Sequence, residues 1–456
     1  MPWLAALLML LATAPAQATA EPVASVNVER SGQSWTAEYQ LDERAPVWVF
    51  PKSVLPRESK TSWRIATVRV LTPGVSLQRL GSYDALVSQN GPLPKRVRLS
   101  FAPFVRDIEA GYDPALAFTD GSIALYADQF KLVPMESQSA ARQASRDDSK
   151  LPAIDRPTRM TFIDKAGPVL VHGKRQKRPT FDKGSTYVLF GRAEPVIGPA
   201  MTTILDPSLP AWMADYLRTE LPSILAEYQK QLGPSPVGQP TLLVSWAGPA
   251  PRLISLSGSV LPGMVVMILK GDGILRPNAK ISGYARWFVA HEAAHFWLGQ
   301  TVSYSERSES WITEGGAELL AFRATAAADP TFDVKARLSQ ARTECLPFLA
   351  KGGIASAYER EGDFRAYYAC GAILALAAEQ VSGGNFADFV RTLIGRYGAD
   401  GKVTRAEWMA LLESRASRPG LAAAAAKLLD DKQSDPGRSL EEFIAVAAIA
   451  DQFSGP

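Results

Sequence analysis

ARWFVAHEAAHFWLGQ, residues 285–300, is the stretch on which the reading of this chain turns. Helix formers dominate it and neither Pro nor Gly occurs before Gly299, so it reads as a helix. His291 and His295 are one turn apart and project from one face, where both imidazoles can bind a single ion. Glu292 lies about 100° round the helix, able to reach a water that such an ion activates but not to ligate the ion itself. The chain has only 3 histidines, and two of them fall in this motif, so a core helix carrying histidines by chance is the poorer reading. The third, His172, sits beside the basic run Lys174, Arg175, Lys177, Arg178 and reads as a surface residue.

A catalytic zinc needs a third protein ligand and an open position for water. WITEGGAELLAFRA, residues 311–324, carries Glu314 and Glu318 one turn apart in a second helical pattern, and spacing alone leaves both eligible.

The two segments together resemble the aminopeptidase-N-like gluzincin metallopeptidases, whose pattern is HExxH, eighteen residues, then a Glu within W-L-N-E-G. Here Phe296 to Thr313 separate His295 from Glu314, which lies in Trp311-Ile312-Thr313-Glu314-Gly315. Gln300 and Thr313 stand where the family usually has Asn. The resemblance implies one zinc per chain held by His291, His295 and Glu314, with Glu292 as catalytic base and Glu318 behind the ligands or on the helix surface. It implies that Tyr368, in Tyr368-Ala369-Cys370-Gly371, donates to the oxyanion as the family's Y-x-x-G tyrosine does, with Tyr367 as the competing choice. The family's G-x-M-E-N strand corresponds to Pro262-Gly263-Met264-Val265-Val266, which makes Gly263 and Met264 substrate-binding. Val265 then replaces the Glu that grips a free amino terminus, and a valine cannot pair with an ammonium. The hydrolytic set carries over; aminopeptidase specificity does not follow with it. The resemblance covers about residues 200 to 400.

Upstream, Val23 to Phe190 consists of short alternating or β-branched runs (SVNV, VWVF, ATVRVL, RVRLSF, SIALYA, YVLF) separated by Pro, Gly and Asn. That pattern predicts an antiparallel β-sandwich domain over residues 21–200. Within it the polar stretch Glu136 to Lys150 reads as an exposed loop. The pattern changes near Asp206-Pro207: Pro210 to Leu232 is helical in period and stops at Gly233-Pro234. TLLVSWA (241–247) and MVVMIL (264–269) read as strands, and the remainder is helical nearly to its end. The expected fold is therefore α+β. The resemblance makes residues 201–345 a thermolysin-like α/β metallopeptidase domain and 346–456 a mostly helical part that completes the active site. GADGKVTRAE, residues 398–407, echoes half of a calcium loop, but Arg396 and Gly398 would fill its first ligand positions, so it reads as a turn before a helix.

Composition sets outer bounds. The chain has 456 residues, 46% of them apolar, enough for a large core, and a net charge of +3 gives no electrostatic case for nucleic acid as partner. Residues 1–20 lack Lys, Arg, Asp and Glu, run apolar from Trp3 to Ala12 and end in Ala18-Thr19-Ala20, the pattern of a secretory signal peptide. The expectation is an exported protein, periplasmic or secreted. No later stretch reaches the roughly 20 apolar residues that a membrane helix needs. Cys345 and Cys370 are the only 2 cysteines, readable as one disulfide or as two buried thiols.

With no G-x-S-x-G elbow, and only His172 left over as a base, a nucleophilic hydrolase is disfavoured. The sequence thus points to a zinc metallopeptidase acting on a peptide or protein substrate. The competing reading is a non-catalytic peptide-binding or assembly protein that keeps the same scaffold.

Overall fold

The computed structural model describes residues 21–453 apart from 60, 110, 236, 305 and 361; the expected signal peptide, residues 1–20, lies outside the described residues. Some runs of the first half form strands that bury one face, as in Ser34–Leu41, where Trp35, Ala37, Tyr39 and Leu41 point inward, whereas Val47–Phe50 and Tyr187–Phe190 are buried throughout.

Three sheets result. The largest has the order Thr180–Phe181, Thr158–Asp164, Ala24–Ser31, Ser34–Leu41, Arg96–Phe101, Val68–Val70. The second comprises Val133–Met135, Val47–Phe50, Tyr83–Ser88 and Val75–Leu80, and the third Lys174–Gln176, Val169–Val171, Tyr187–Phe190, Ile123–Tyr126 and Ala115–Ala117. The expected antiparallel sandwich is corrected in one respect: Ala24–Ser31 pairs in parallel with Thr158–Asp164. Parallel neighbours need a long crossover, and here most of the domain lies between them.

The stretch Glu136 to Lys150 is also corrected. It holds a helix, Gln138–Gln143, capped by Ser137, and a 3-10 turn, Asp148–Lys150, and Asp147 and Asp148 are buried. Composition marks these residues as solvated because it does not reveal the cations, Lys52 and Arg307, that neutralise Asp148.

The second half is built on a mixed sheet ordered Val196–Ile197, Thr202–Leu205, Thr241–Trp246, Met264–Lys270, Ser255–Leu261, with Ser255–Leu261 antiparallel at the open edge. Its central strands are apolar on both faces because both faces are covered. Leu242, Val244, Val265, Met267 and Leu269 face the helices, while Leu243, Met264 and Val266 pack with Ile204 against Leu116, Tyr126 and Tyr187 of the first half. The predicted helix is Ala211–Leu232, ended by Gly233 at φ 97°. A single cluster of buried side chains then runs from Met201 to Phe453. The disulfide Cys345–Cys370 joins the helix Val334–Lys351 to the helix Arg365–Gln380. Among the described residues four further α-helices follow, including the alanine-rich Leu421–Asp430. No helix among the described residues is long and apolar enough to cross a membrane.

The helices Ser310–Ala328 and Arg365–Gln380 approach closely where Gly315 meets Gly371. A Cβ on Gly315 would lie 2.1 Å from the Gly371 carbonyl carbon, and one on Gly371 would lie 2.6 Å from the Trp311 carbonyl oxygen. Backbone atoms cannot move aside as a side chain can. Gly315→Ala and Gly371→Ala are each expected to destabilise the protein by about 3 kcal/mol or more in urea unfolding. Gly395→Ala, in the helix Phe386–Tyr397 with open space around its Cβ, should be neutral or stabilising by up to about 1 kcal/mol.

Candidate metal centre and its cleft

The helix Ala279–Ala294 starts where Asn278 accepts a hydrogen bond from the Ile281 N–H. His295 at its C-terminal end still has helical backbone (φ −66°, ψ −14°), so the i, i+4 relation of His291 and His295 holds. Their rings lie 5.1 Å apart between centroids. The second helix, Ser310–Ala328, brings Glu314 to the same place: its Oε2 is 3.3 Å from His291 Nε2 and 3.5 Å from His295 Nε2.

One ligand atom from each of His291, His295 and Glu314 falls within 4.8 Å of the others. Donors bound at about 2.0–2.1 Å on three corners of a tetrahedron sit about 3.3 Å apart, so these residues fit one zinc with a corner to spare.

Both imidazoles are turned to present Nε2. His291 Nδ1 is 3.2 Å from Glu318 Oε2, and His295 Nδ1 is 3.2 Å from the Leu298 carbonyl oxygen. Each oxygen can only accept, so a cation held at the Nε2 atoms would leave the proton on Nδ1 of each ring. Glu318, which spacing left as an alternative ligand, is buried and touches His291 from behind. The geometry separates the two glutamates by distance: only Glu314 reaches the Nε2 side of both rings.

The pocket favours positive charge. Burial disfavours a His291 imidazolium, yet hydrogen bonds with Glu314 and Glu318 raise its pKa to about 10. Burial likewise opposes ionised Glu314, yet His295 and His291 hold its carboxyl well below the usual range. Glu292 is buried beside them, and burial raises its carboxyl above the ordinary value despite the attraction of both histidines. A carboxylate so raised is the better proton acceptor.

The helix Arg365–Gln380 presents Tyr368, whose ring stacks on His291 at 5.4 Å and whose phenol lies near enough to Glu314 to feel its charge. Burial, then Glu314 and Glu292, push that phenol well above its ordinary pKa, so it stays a donor. Tyr367 points elsewhere: its hydroxyl donates to the Ala355 carbonyl at 3.0 Å and accepts from the Tyr358 N–H at 3.1 Å.

Gly263 and Met264, expected to bind substrate, lie at the start of a strand paired on both sides. Gly263, at φ 71°, is in the turn after Leu261, and Met264 is buried against the first half. Met264–Lys270 pairs on both sides, so its backbone groups are already spent on the sheet. Val265 faces the helical core. The free backbone edge belongs to Ser255–Leu261, which packs on the His291 helix; a Cβ at Gly258 would lie 3.1 Å from the Phe288 ring. This strand escaped the sequence reading because Ser, Gly and Val in SLSGSVL make a weak strand signal beside the apolar run that follows. Gln300 ties its turn to the histidine helix, donating to the Leu261 carbonyl at 2.9 Å. Tyr112 of the first half, which carried no signal, donates to the Val260 carbonyl at 3.0 Å.

The remaining candidates lie apart from this chemistry. His172 is exposed, in the turn before Lys174–Gln176. Glu407 forms a capping box with Thr404 at the start of Arg405–Arg415, the turn before a helix that was expected.

No protein-family model matches this sequence, and no curated protein matches it. Solved structures match by fold. An aminopeptidase N family protein from Idiomarina loihiensis aligns with a TM-score of 0.61 at 13% identity, over 92% of this chain and 78% of that one. An M1 zinc metallopeptidase from Deinococcus radiodurans, as a variant bound to a Tyr-Ser-Ala substrate, aligns at 0.53 and 15% identity over 91% of this chain and 94% of its own. Another structure of an M1 zinc metallopeptidase from that organism gives 0.51 and 14%, over 91% and 94%. This chain therefore shares the fold of M1 aminopeptidases: several sheets followed by a helical part.

Proposed function

We propose that this protein is a zinc metallopeptidase, hydrolysing peptide bonds in an oxidising compartment outside the cytoplasm. The observation that carries the reading is the meeting of His291, His295 and a Glu314 carboxylate oxygen within 4.8 Å of one another, with Glu292 buried beside them and Tyr368 stacked on His291. The Cys345–Cys370 disulfide supports the compartment.

His291, His295 and Glu314 would hold the ion. Zinc bound there supplies a lowered pKa for water and polarises a carbonyl. Glu292 takes the proton from the attacking water and returns it to the leaving nitrogen, a task suited to a buried carboxylate of raised pKa. Tyr368 donates a hydrogen bond to the carbonyl oxygen as that oxygen gains charge. Glu318 and the Leu298 carbonyl keep the imidazoles in the ligating tautomer. The substrate lies along the edge strand Ser255–Leu261, which carries no acidic residue to hold a free amino terminus. Cleavage is therefore not tied to the chain end by that strand.

Purified protein incubated with a peptide library is expected to give cleavage products by mass spectrometry that a chelator abolishes and zinc restores. Chelator-insensitive binding without cleavage would favour the non-catalytic alternative. Glu292→Gln should keep one zinc per chain by metal analysis and lose about 10²–10⁴-fold in kcat; near-normal activity in this variant would overturn the assignment. Tyr368→Phe should lower kcat by about 10²-fold or more with the metal retained. Glu318→Ala, which frees the His291 ring, is expected to weaken zinc affinity by about 10- to 100-fold in competition with a chromophoric chelator.

A further inference from the structure

The segment Ala144–Lys150 belongs to the first half of the chain, yet its contacts serve the second. Asp148 is buried, and its carboxylate receives Lys52 Nζ at 2.6 Å on one oxygen and the Arg307 guanidinium on the other. Asp147, also buried, stands 3.8 Å from Arg307 Nε and is itself held by the Ser149 N–H and hydroxyl at 3.0 and 2.6 Å. The same guanidinium lies 5.2 Å over the Tyr358 ring, and the Tyr358 hydroxyl donates to the Arg146 carbonyl. Lys150 and Glu306 stand 3.8 Å apart at the rim.

The residues held in this way sit just before the two helices of the site. Arg307 begins the 3-10 turn Arg307–Glu309, which runs without a break into the helix Ser310–Ala328 that carries Glu314. Tyr358 lies in the turn Ile354–Glu359, and Tyr367 fastens that turn by accepting from the Tyr358 N–H and donating to the Ala355 carbonyl. Tyr367 is the immediate neighbour of Tyr368 on its helix. One loop of the first half thus grips the approach to Glu314 and the approach to Tyr368 together.

We propose that Arg307 and Tyr358 are positioning residues, through which the Ala144–Lys150 segment sets the placement of Glu314 and Tyr368 about the metal centre. The proposal rests on the peptidase reading. A displacement of about 1 Å in a catalytic group can cost about 10²-fold in rate, so a loosened anchor acts on turnover while the binding strand, which this loop does not touch through these contacts, keeps its hold on substrate.

The test uses the full chain loaded with metal, and the variants Arg307→Gln, Asp148→Asn and Tyr358→Phe, with Arg307→Lys as the conservative control. Arg307→Gln and Asp148→Asn should each lower kcat about 10- to 100-fold with KM within about threefold and one metal per chain retained. Their double variant should fall within about twofold of the weaker single, because both break one contact. Arg307→Lys should recover most of the loss. In the cobalt(II)-substituted protein, the visible absorption should shift in Arg307→Gln and return in Arg307→Lys, a readout independent of any peptide. Tyr358→Phe leaves every charge in place and gives a folded variant if the others fail to fold. Single variants with kcat within twofold of the parent and an unchanged cobalt spectrum would overturn the proposal, as would activity lost only in proportion to metal lost. If the metal-loaded parent cleaves no peptide, the peptidase reading falls and the cobalt spectrum alone decides this one.

Discussion

Two residues without side chains govern how this protein assembles its site. Gly315 and Gly371 let the helices Ser310–Ala328 and Arg365–Gln380 approach until backbone meets backbone. Glu314 is the residue before one glycine and Tyr368 stands three before the other, so their nearness follows from that contact. The disulfide Cys345–Cys370 pins the second helix one residue from its glycine. Any side chain at the crossing would separate a would-be metal ligand from a would-be oxyanion donor.

Around this crossing the chemistry is organised by burial. Three glutamates, 292, 314 and 318, share a largely buried pocket with two imidazoles, an arrangement that costs much unless positive charge is present. The imidazoles face inward because Glu318 and the Leu298 carbonyl take their other nitrogens. The mixed sheet beneath is apolar on both faces, since it lies between the helices and a sheet of the first half, and this leaves one open edge beside the histidine helix. The first half is thus a wall of the cleft as well as a separate β structure: Tyr112 reaches the edge strand, and Asp148 reaches Arg307.

Much of this was legible before any coordinates. The spacing of His291 and His295 carries their common direction, because a helix repeats its face every turn, and the apolar runs 241–247 and 264–269 announced strands, which the fold buries on both sides. The choice between Glu314 and Glu318 was not legible from period, since both lie on one helical face; it came from resemblance, and in space it follows from which carboxylate meets the Nε2 atoms. Tyr367 and Tyr368 were likewise adjacent and told apart only by resemblance, and the rotation of their helix sends one to His291 and the other to Ala355. The open edge strand Ser255–Leu261 gave no reading of its own, because the stronger apolar signal belongs to the central strand that follows it.

The sequence by itself determined the local chemistry: a histidine pair on one helical face, an acidic residue beside it, a second helix with two acids, and the alternation that buries strands. Those properties depend on neighbours a few residues away, and a regular backbone period transmits them. Only the tertiary structure decided which acid stands in front of the histidines and which behind, which edge is open, and that Asp148 is neutralised by a cation 159 residues along the chain. Such facts depend on contacts between distant segments, which packing and charge pairing settle and no local period encodes.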